Sequence, residues 1–152
     1  MKHQNKISAF FNTLSIILWI TSLFCTVFFY GEGEAHNGIY ILTLGSLFSW
    51  FMGFFNIGYF AVYANYFWMA AVILYWYQKQ IEIWMMKWLL VFMWVLAILT
   101  FSLTTIHKNS EVIGITGYGA GFYLWFAALF CATIGILLGK DWLKKQKKKT
   151  TA

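Results

Sequence analysis

The sequence predicts an all-α integral membrane protein: a four-helix transmembrane bundle with an extra interfacial or re-entrant aromatic segment before the second span. Three observations carry this expectation. Of 152 residues, 61% are hydrophobic and only 11% charged, whereas a domain whose surface faces water carries about 25% charged residues. Uncharged apolar runs fill most of the chain, and about 20 apolar residues in a helix cross a hydrocarbon core. The lysines, finally, fall where the ends of four crossings would be.

The first span is read over about 7–30. Lys2 and Lys6 ahead of it resemble the start of a signal peptide, but an apolar signal core is about 7–15 residues long and ends at a small-residue cleavage site. The run from Ile7 to Tyr30 has 24 residues and no such site after it, so it is expected to stay as a span. The next run, Ile39 to Tyr77, has 39 residues and at ~1.5 Å per residue would be about twice the ~30 Å core. One crossing is assigned to it, about 57–77, and residues 39–56 are expected to lie along the interface or to dip in and return. Gly45, Gly53 and Gly58 offer bends there. Eleven of the 21 residues from Phe48 to Trp68 are aromatic. Rings with a polar tip favour the membrane–water interface, and a stacking site for an aromatic or lipid ligand is the alternative use. The third span is read over about 88–106 and the fourth over about 119–139.

Orientation follows from charge. All eleven basic residues are lysines, and positive charge beside span ends stays in the cytoplasm. Four crossings put Lys2, Lys6, Lys79, Lys87 and the tail lysines inside and leave Lys108 outside, with Glu32, Glu34 and Glu111 in the outer loops. Five crossings would put the Lys-rich tail, 140–152, outside. Both termini are therefore expected in the cytoplasm. The tail lysines Lys140, Lys144, Lys145, Lys147, Lys148 and Lys149 are expected to meet anionic lipid headgroups, since juxtamembrane clusters of this kind gain about 1 kcal/mol per charge at such a surface. Nothing beyond charge points to nucleic acid, and no nucleic-acid partner is expected.

Function classes are narrowed mainly by what the spans lack. None carries an ionisable side chain in its interior, which disfavours proton relays, ion-coupled transport and voltage sensing. The deep polar residues are Asn12, Asn65, Thr100 and Thr133. Asn65, in mid-span, is read as an interhelical hydrogen-bonding residue, with a permeation or substrate role as the alternative. In the last span Gly121, Ala128, Ala132, Gly135 and Gly139 recur at seven, four, three and four residues, which keeps them on one helical face. Such small residues let another helix approach closely, within the monomer or across a homodimer seam. Gly117, Gly119 and Gly121 are read as a turn into that helix. Cys25 and Cys131 lie at different depths and are expected to be free. The outer Glu32, Glu34, His36, His107 and Glu111 show no spacing dedicated to a metal. No nucleophile with a base, phosphate-binding loop or paired carboxylate is present, so neither enzymatic activity nor a cofactor is expected.

The run from Gly117 to Phe130, with its Gly-Tyr-Gly-Ala-Gly-Phe-Tyr-Leu-Trp core, and the Tyr63-Ala64-Asn65 step resemble small four-span bacterial membrane proteins. These residues make up about a ninth of the chain. It implies a multi-pass protein of the bacterial cytoplasmic (inner) membrane, and no functional residue comes with it.

The leading expectation is a protein that acts by helix or lipid contact, as an accessory or scaffold subunit. Its partner would be another membrane protein or a second copy of itself. An immunity protein against a membrane-acting toxin has similar build, and a small oligomeric channel lined by Asn, Ser and Thr is the third reading. A neighbouring toxin gene would favour immunity, a polar stripe on a symmetry axis a channel, and co-purifying partners the accessory role.

Overall fold

The computed structural model describes residues 6–77, 83–108 and 111–150, with side-chain surroundings for 6–77, 84–106 and 112–139. The chain runs α1 (Lys6–Phe24), β1 (Thr26–Tyr30), β2 (Glu34–Asn37), α2 (Gly38–Met52), a 3-10 stretch (Ile57–Tyr63) leading directly into α3 (Ala64–Tyr77), α4 (Ile83–Ile98) with a 3-10 end (Leu99–Ser102), β3 (Thr105–Lys108), β4 (Glu111–Tyr118) and α5 (Ala120–Thr150). Four helical stretches are long and apolar enough to cross a membrane: Lys6–Phe24, Ile57–Tyr77, Trp84–Ser102 and Ala120–Gly139. That set is compatible with a multi-pass membrane protein.

The all-α expectation needs correction. The two outer connections are β-hairpins, and they pair with each other into one four-stranded antiparallel sheet in the order β2-β1-β4-β3. The first apolar run therefore leaves helical form at Phe24, not Tyr30, and the third span ends at Ser102 rather than continuing to Ile106. Short apolar runs do not reveal by periodicity whether they are helix or strand. Here Thr26, Val27, Ile106, Val112, Ile113 and Ile115 supply the β-branched residues that strands favour. Gly31 and Gly33, at φ of 56° and 97°, make the turn of the first hairpin, a conformation open to glycine at little cost. The sheet also pairs backbone groups that would otherwise lie unpaired at the end of an apolar bundle.

Phe28 and Tyr30 point from β1 into the protein while Phe29 stays exposed, the two-residue alternation of a strand. Beneath the sheet Val27, Phe28, Leu103 and Phe122 form one buried cluster. A larger one fills the space between α3, α4 and α5, where Ala64, Trp68, Ala71, Met93, Ala97, Leu129 and Ala132 are buried.

α1 and α5 form the most extensive helix pair. Ser8 bonds to Gly135 while Gly121 lies against Ser22 and Cys25, so the two run antiparallel. Ser8 also meets Tyr75 at the end of α3. The start of α1, the end of α3 and residue 139 thus share one end of the bundle, and the sheet lies at the other. That antiparallel pairing of the first and last helices is the arrangement an even number of crossings requires; five would make them parallel. α4 starts earlier than the expected 88, at Ile83, and an exposed Lys87 lies within it, where its long stem can carry the ammonium to the bundle end. α5 continues as a helix beyond residue 139 to Thr150.

α2, covering most of the expected 39–56 segment, is a helix of 15 residues. At ~1.5 Å per residue it is about 22 Å long, short of a crossing. Asn37 caps it, accepting from the Tyr40 amide at 2.9 Å, and satisfies one of the amides that a helix start leaves unpaired. α2 packs on α1, β2 and the 57–63 stretch, all near the sheet end.

Candidate functional site

The inward face of α1 is polar. Ser8, Asn12, Ser15 and Ser22 recur at four, three and seven residues, and all are buried, whereas Ile7, Phe10, Ile17, Ile20 and Phe24 are exposed. This inverts the pattern of a water-soluble helix. The α5 stripe faces these hydroxyls and the Asn12 amide. A Cβ added at Gly121 would lie 2.7 Å from the Cys25 carbonyl oxygen, one at Gly139 would lie 2.9 Å from Ser8 Oγ, and one at Gly135 would overlap the Asn12 amide. Ala128 and Ala132 are fully buried. Ser8 donates to the Gly135 carbonyl at 2.6 Å and Ser15 to the Ala128 carbonyl at 2.8 Å. Because the single Ser8 proton is spent there, the 2.7 Å contact with Tyr75 must be donated by the tyrosine.

Asn65 is the second polar centre. Its Oδ1 accepts from Trp19 Nε1 at 2.8 Å and from Trp125 Nε1 at 2.9 Å, while its Nδ2 donates to the Val62 carbonyl at 2.9 Å. One amide therefore ties α1, α3 and α5 together. Two further indoles act likewise: Trp68 donates to Ser15 Oγ at 2.8 Å and Trp94 to Thr133 Oγ1 at 2.9 Å. A buried indole N–H needs such an acceptor. Trp19 additionally stacks on Trp68, with centroids 4.7 Å apart. Among the described residues, two buried side-chain oxygens have no partner, Asn12 Oδ1 and Thr100 Oγ1.

Between α2 and the rest of the bundle lies a cavity of about 640 Å³. Leu44, Gly45, Phe48, Ser49 and Met52 of α2 form one side, Gly58, Tyr59, Ala61, Val62 and Asn65 another, and Thr100, Leu103, Phe122 and Trp125 the back. Ser22, Val27, Phe28 and His36 line it toward the sheet. The space exists because α2 is held at separate points. Gly38 meets the Ser22 carbonyl and donates its N–H to the Cys25 carbonyl, Gly45 touches Val62, and Gly53 abuts Phe60. A volume of 640 Å³ falls within the ~300–1,000 Å³ of ligand pockets, which are mostly apolar with a few polar groups.

The other outer polar residues do not converge. Glu32 and Glu34 belong to the β1–β2 hairpin, while the backbone of His107 and Glu111 belongs to the β3–β4 hairpin. Glu34 on β2 and His107 on β3 lie on opposite edges of the sheet, three strand spacings or about 14 Å apart, and Glu111 on β4 is two spacings from β2. Among the described residues no three His, Cys, Asp or Glu side chains come together. His36 is occupied between its own hairpin and the start of α2, stacked on Tyr40 at 4.0 Å between centroids and 3.5 Å from the Tyr30 hydroxyl. The 117–121 glycines bring β4 and the start of α5 against β1, and the Gly119 amide is spent on the Val27 carbonyl. Cys25 and Cys131 are free. Lys140, Lys144, Lys145, Lys147, Lys148 and Lys149 lie on the helical extension of α5, and their side chains fall outside the described surroundings.

Sequence reasoning picked out Asn65 and the α5 stripe but not their partners. The spacing of Ser8, Asn12, Ser15, Trp19 and Ser22 on one face of α1 was the available signal. The cavity left none except the aromatic stretch, from which Phe48 and Tyr59 contribute to its wall. No protein-family model, curated protein or solved structure matches the chain.

Proposed function

We propose that the chain is a multi-pass protein of the bacterial cytoplasmic membrane, with both termini inside, that acts by contact and without chemistry as an accessory or scaffold subunit. Its apolar outward faces would meet a partner membrane protein or a second copy, and the Lys-rich end of α5 would hold anionic lipid headgroups. The observation that carries this reading is where the spans spend their polar groups. Ser8, Ser15, Asn65 and Thr133 all bond inward, between or within helices, and large apolar residues make up the outward faces. A pore needs polar groups that line a wet path; here the strongest candidate, Asn65, has its carbonyl oxygen taken by two indoles.

Purified protein in liposomes is expected to pass no ions, and a photoreactive phenylalanine analogue at Trp50 or Phe130, both exposed, is expected to crosslink one defined membrane protein in cells. Reproducible single-channel currents would overturn the reading in favour of a channel. Crosslinking to lipid alone at both positions would remove the accessory role. Orientation is tested separately, in a background lacking Cys25 and Cys131. Glu32→Cys should react with an impermeant thiol reagent in intact cells and Gln78→Cys should not; labelling at Gln78 would defeat the assigned topology.

A further inference from the structure

We propose that the cavity between α2 and the helix bundle binds one acyl chain of a membrane phospholipid, admitted sideways past α2 with the headgroup left at the sheet end. This does not rest on the accessory role. The rim identifies the occupant. Tyr40, Leu44 and Phe48 line the cavity and are also exposed, so the opening lies on α2. The outward face of that helix carries exposed Leu47, Trp50 and Phe51, an apolar patch suited to hydrocarbon rather than water. An opening on such a face meets lipid chains before any other apolar molecule.

The lining gives the chain its direction. Polar groups concentrate near the sheet, where Ser22, His36 and the start of α2 border the space. The interior walls include Met52, Val62, Leu103 and Phe122, which offer dispersion contacts, and the polar groups among them are few: the Asn65 oxygen is taken by two indoles, and Ser49 and Thr100 add their hydroxyls. The lining is predominantly apolar, which favours an apolar guest.

The test uses the full chain in liposomes containing phosphatidylglycerol with a diazirine on one acyl chain, irradiated and mapped by peptide mass spectrometry. Adducts at Met52, Val62 and Phe122 should exceed several-fold those at Ile17, which faces outward from α1. Leu44→Trp at the rim should cut the cavity adducts several-fold while leaving Ile17 labelling unchanged. Phe48→Ala, which widens the rim, should raise them, and it serves if the tryptophan variant does not fold. Equal labelling of cavity and outward residues, or cavity labelling indifferent to both variants, would overturn the proposal. Displacement of the label by excess palmitate but not by excess unlabelled phosphatidylglycerol would overturn the assignment to a phospholipid.

Discussion

Gly135→Leu is expected to separate α1 from α5 and to abolish a cooperative melting transition in detergent. Even a methyl group at Gly135 overlaps the Asn12 amide, and the Asn12 backbone nitrogen lies 3.1 Å away, so only part of the clash can be relieved by a rotamer change. Overpacking typically costs about 1–3 kcal/mol, occasionally more; leucine at this seam should lie above that range because backbone stands behind the side chain. Gly135→Ala should be milder, at about 2 kcal/mol. Its cost should shrink in an Asn12→Ala background, since the obstructing amide is then gone. Asn12→Ala should itself cost little. It loses a bond to the Ser8 carbonyl within its own helix and removes a buried oxygen that has no partner. The coupling between the two sites should reach at least ~0.5 kcal/mol. Equal costs of Gly135→Ala in both backgrounds, or a Gly135→Leu protein that melts like the parent, would mean that the seam does not form here. The alternative use of the stripe, a homodimer seam, predicts instead that the monomer stays folded and only the dimer disappears.

Asn65→Leu should destabilise the protein by about 2–4 kcal/mol, because it leaves two half-buried indole donors unpaired at roughly 1–3 kcal/mol each, moderated by the ~0.6–2 kcal/mol found for such bonds in membranes. Asn65 taken as one interhelical bond suggests about 1 kcal/mol, partly offset by added apolar surface. The difference comes from the second indole, which no spacing rule reveals. Trp125→Phe removes one donor and keeps the acceptor, so it should cost less than Asn65→Leu. Thermal melts of the three proteins, read by circular dichroism in one detergent, decide the matter. An Asn65→Leu protein no weaker than Trp125→Phe would show that Asn65 does not hold both indoles.

The parts of the fold that sequence made legible are those written in composition and period. Long uncharged runs marked the four helices that can cross a membrane, because hydrocarbon tolerates only apolar, internally bonded segments of that length. The uniform lysine placement outside the apolar runs, and the spacing of Gly121, Ala128, Ala132, Gly135 and Gly139 that marked one side of the most extensive helix contact, belong here too. Both rest on one-dimensional regularities. The hairpins stayed hidden, because Thr26–Tyr30 continues the apolarity of the first helix without a break. Strand character there depends on a partner, Tyr118 opposite Phe28, some ninety residues away.

Composition and period by themselves determine that this chain is a mostly helical bundle suited to an apolar surrounding, with four helices long enough to cross a membrane and small residues where helices meet. They do so because the solvent acts on every residue alike and leaves its mark on the whole sequence. Only the tertiary structure decides which polar group serves which. It turns the serines of α1 toward the glycines of α5, gathers Trp19 and Trp125 on Asn65, closes the outer ends into one sheet, and holds α2 far enough from α5 to leave about 640 Å³ between them. Those features come from pairings between residues distant in sequence, whose energy depends on distances of a few tenths of an ångström that no single segment encodes.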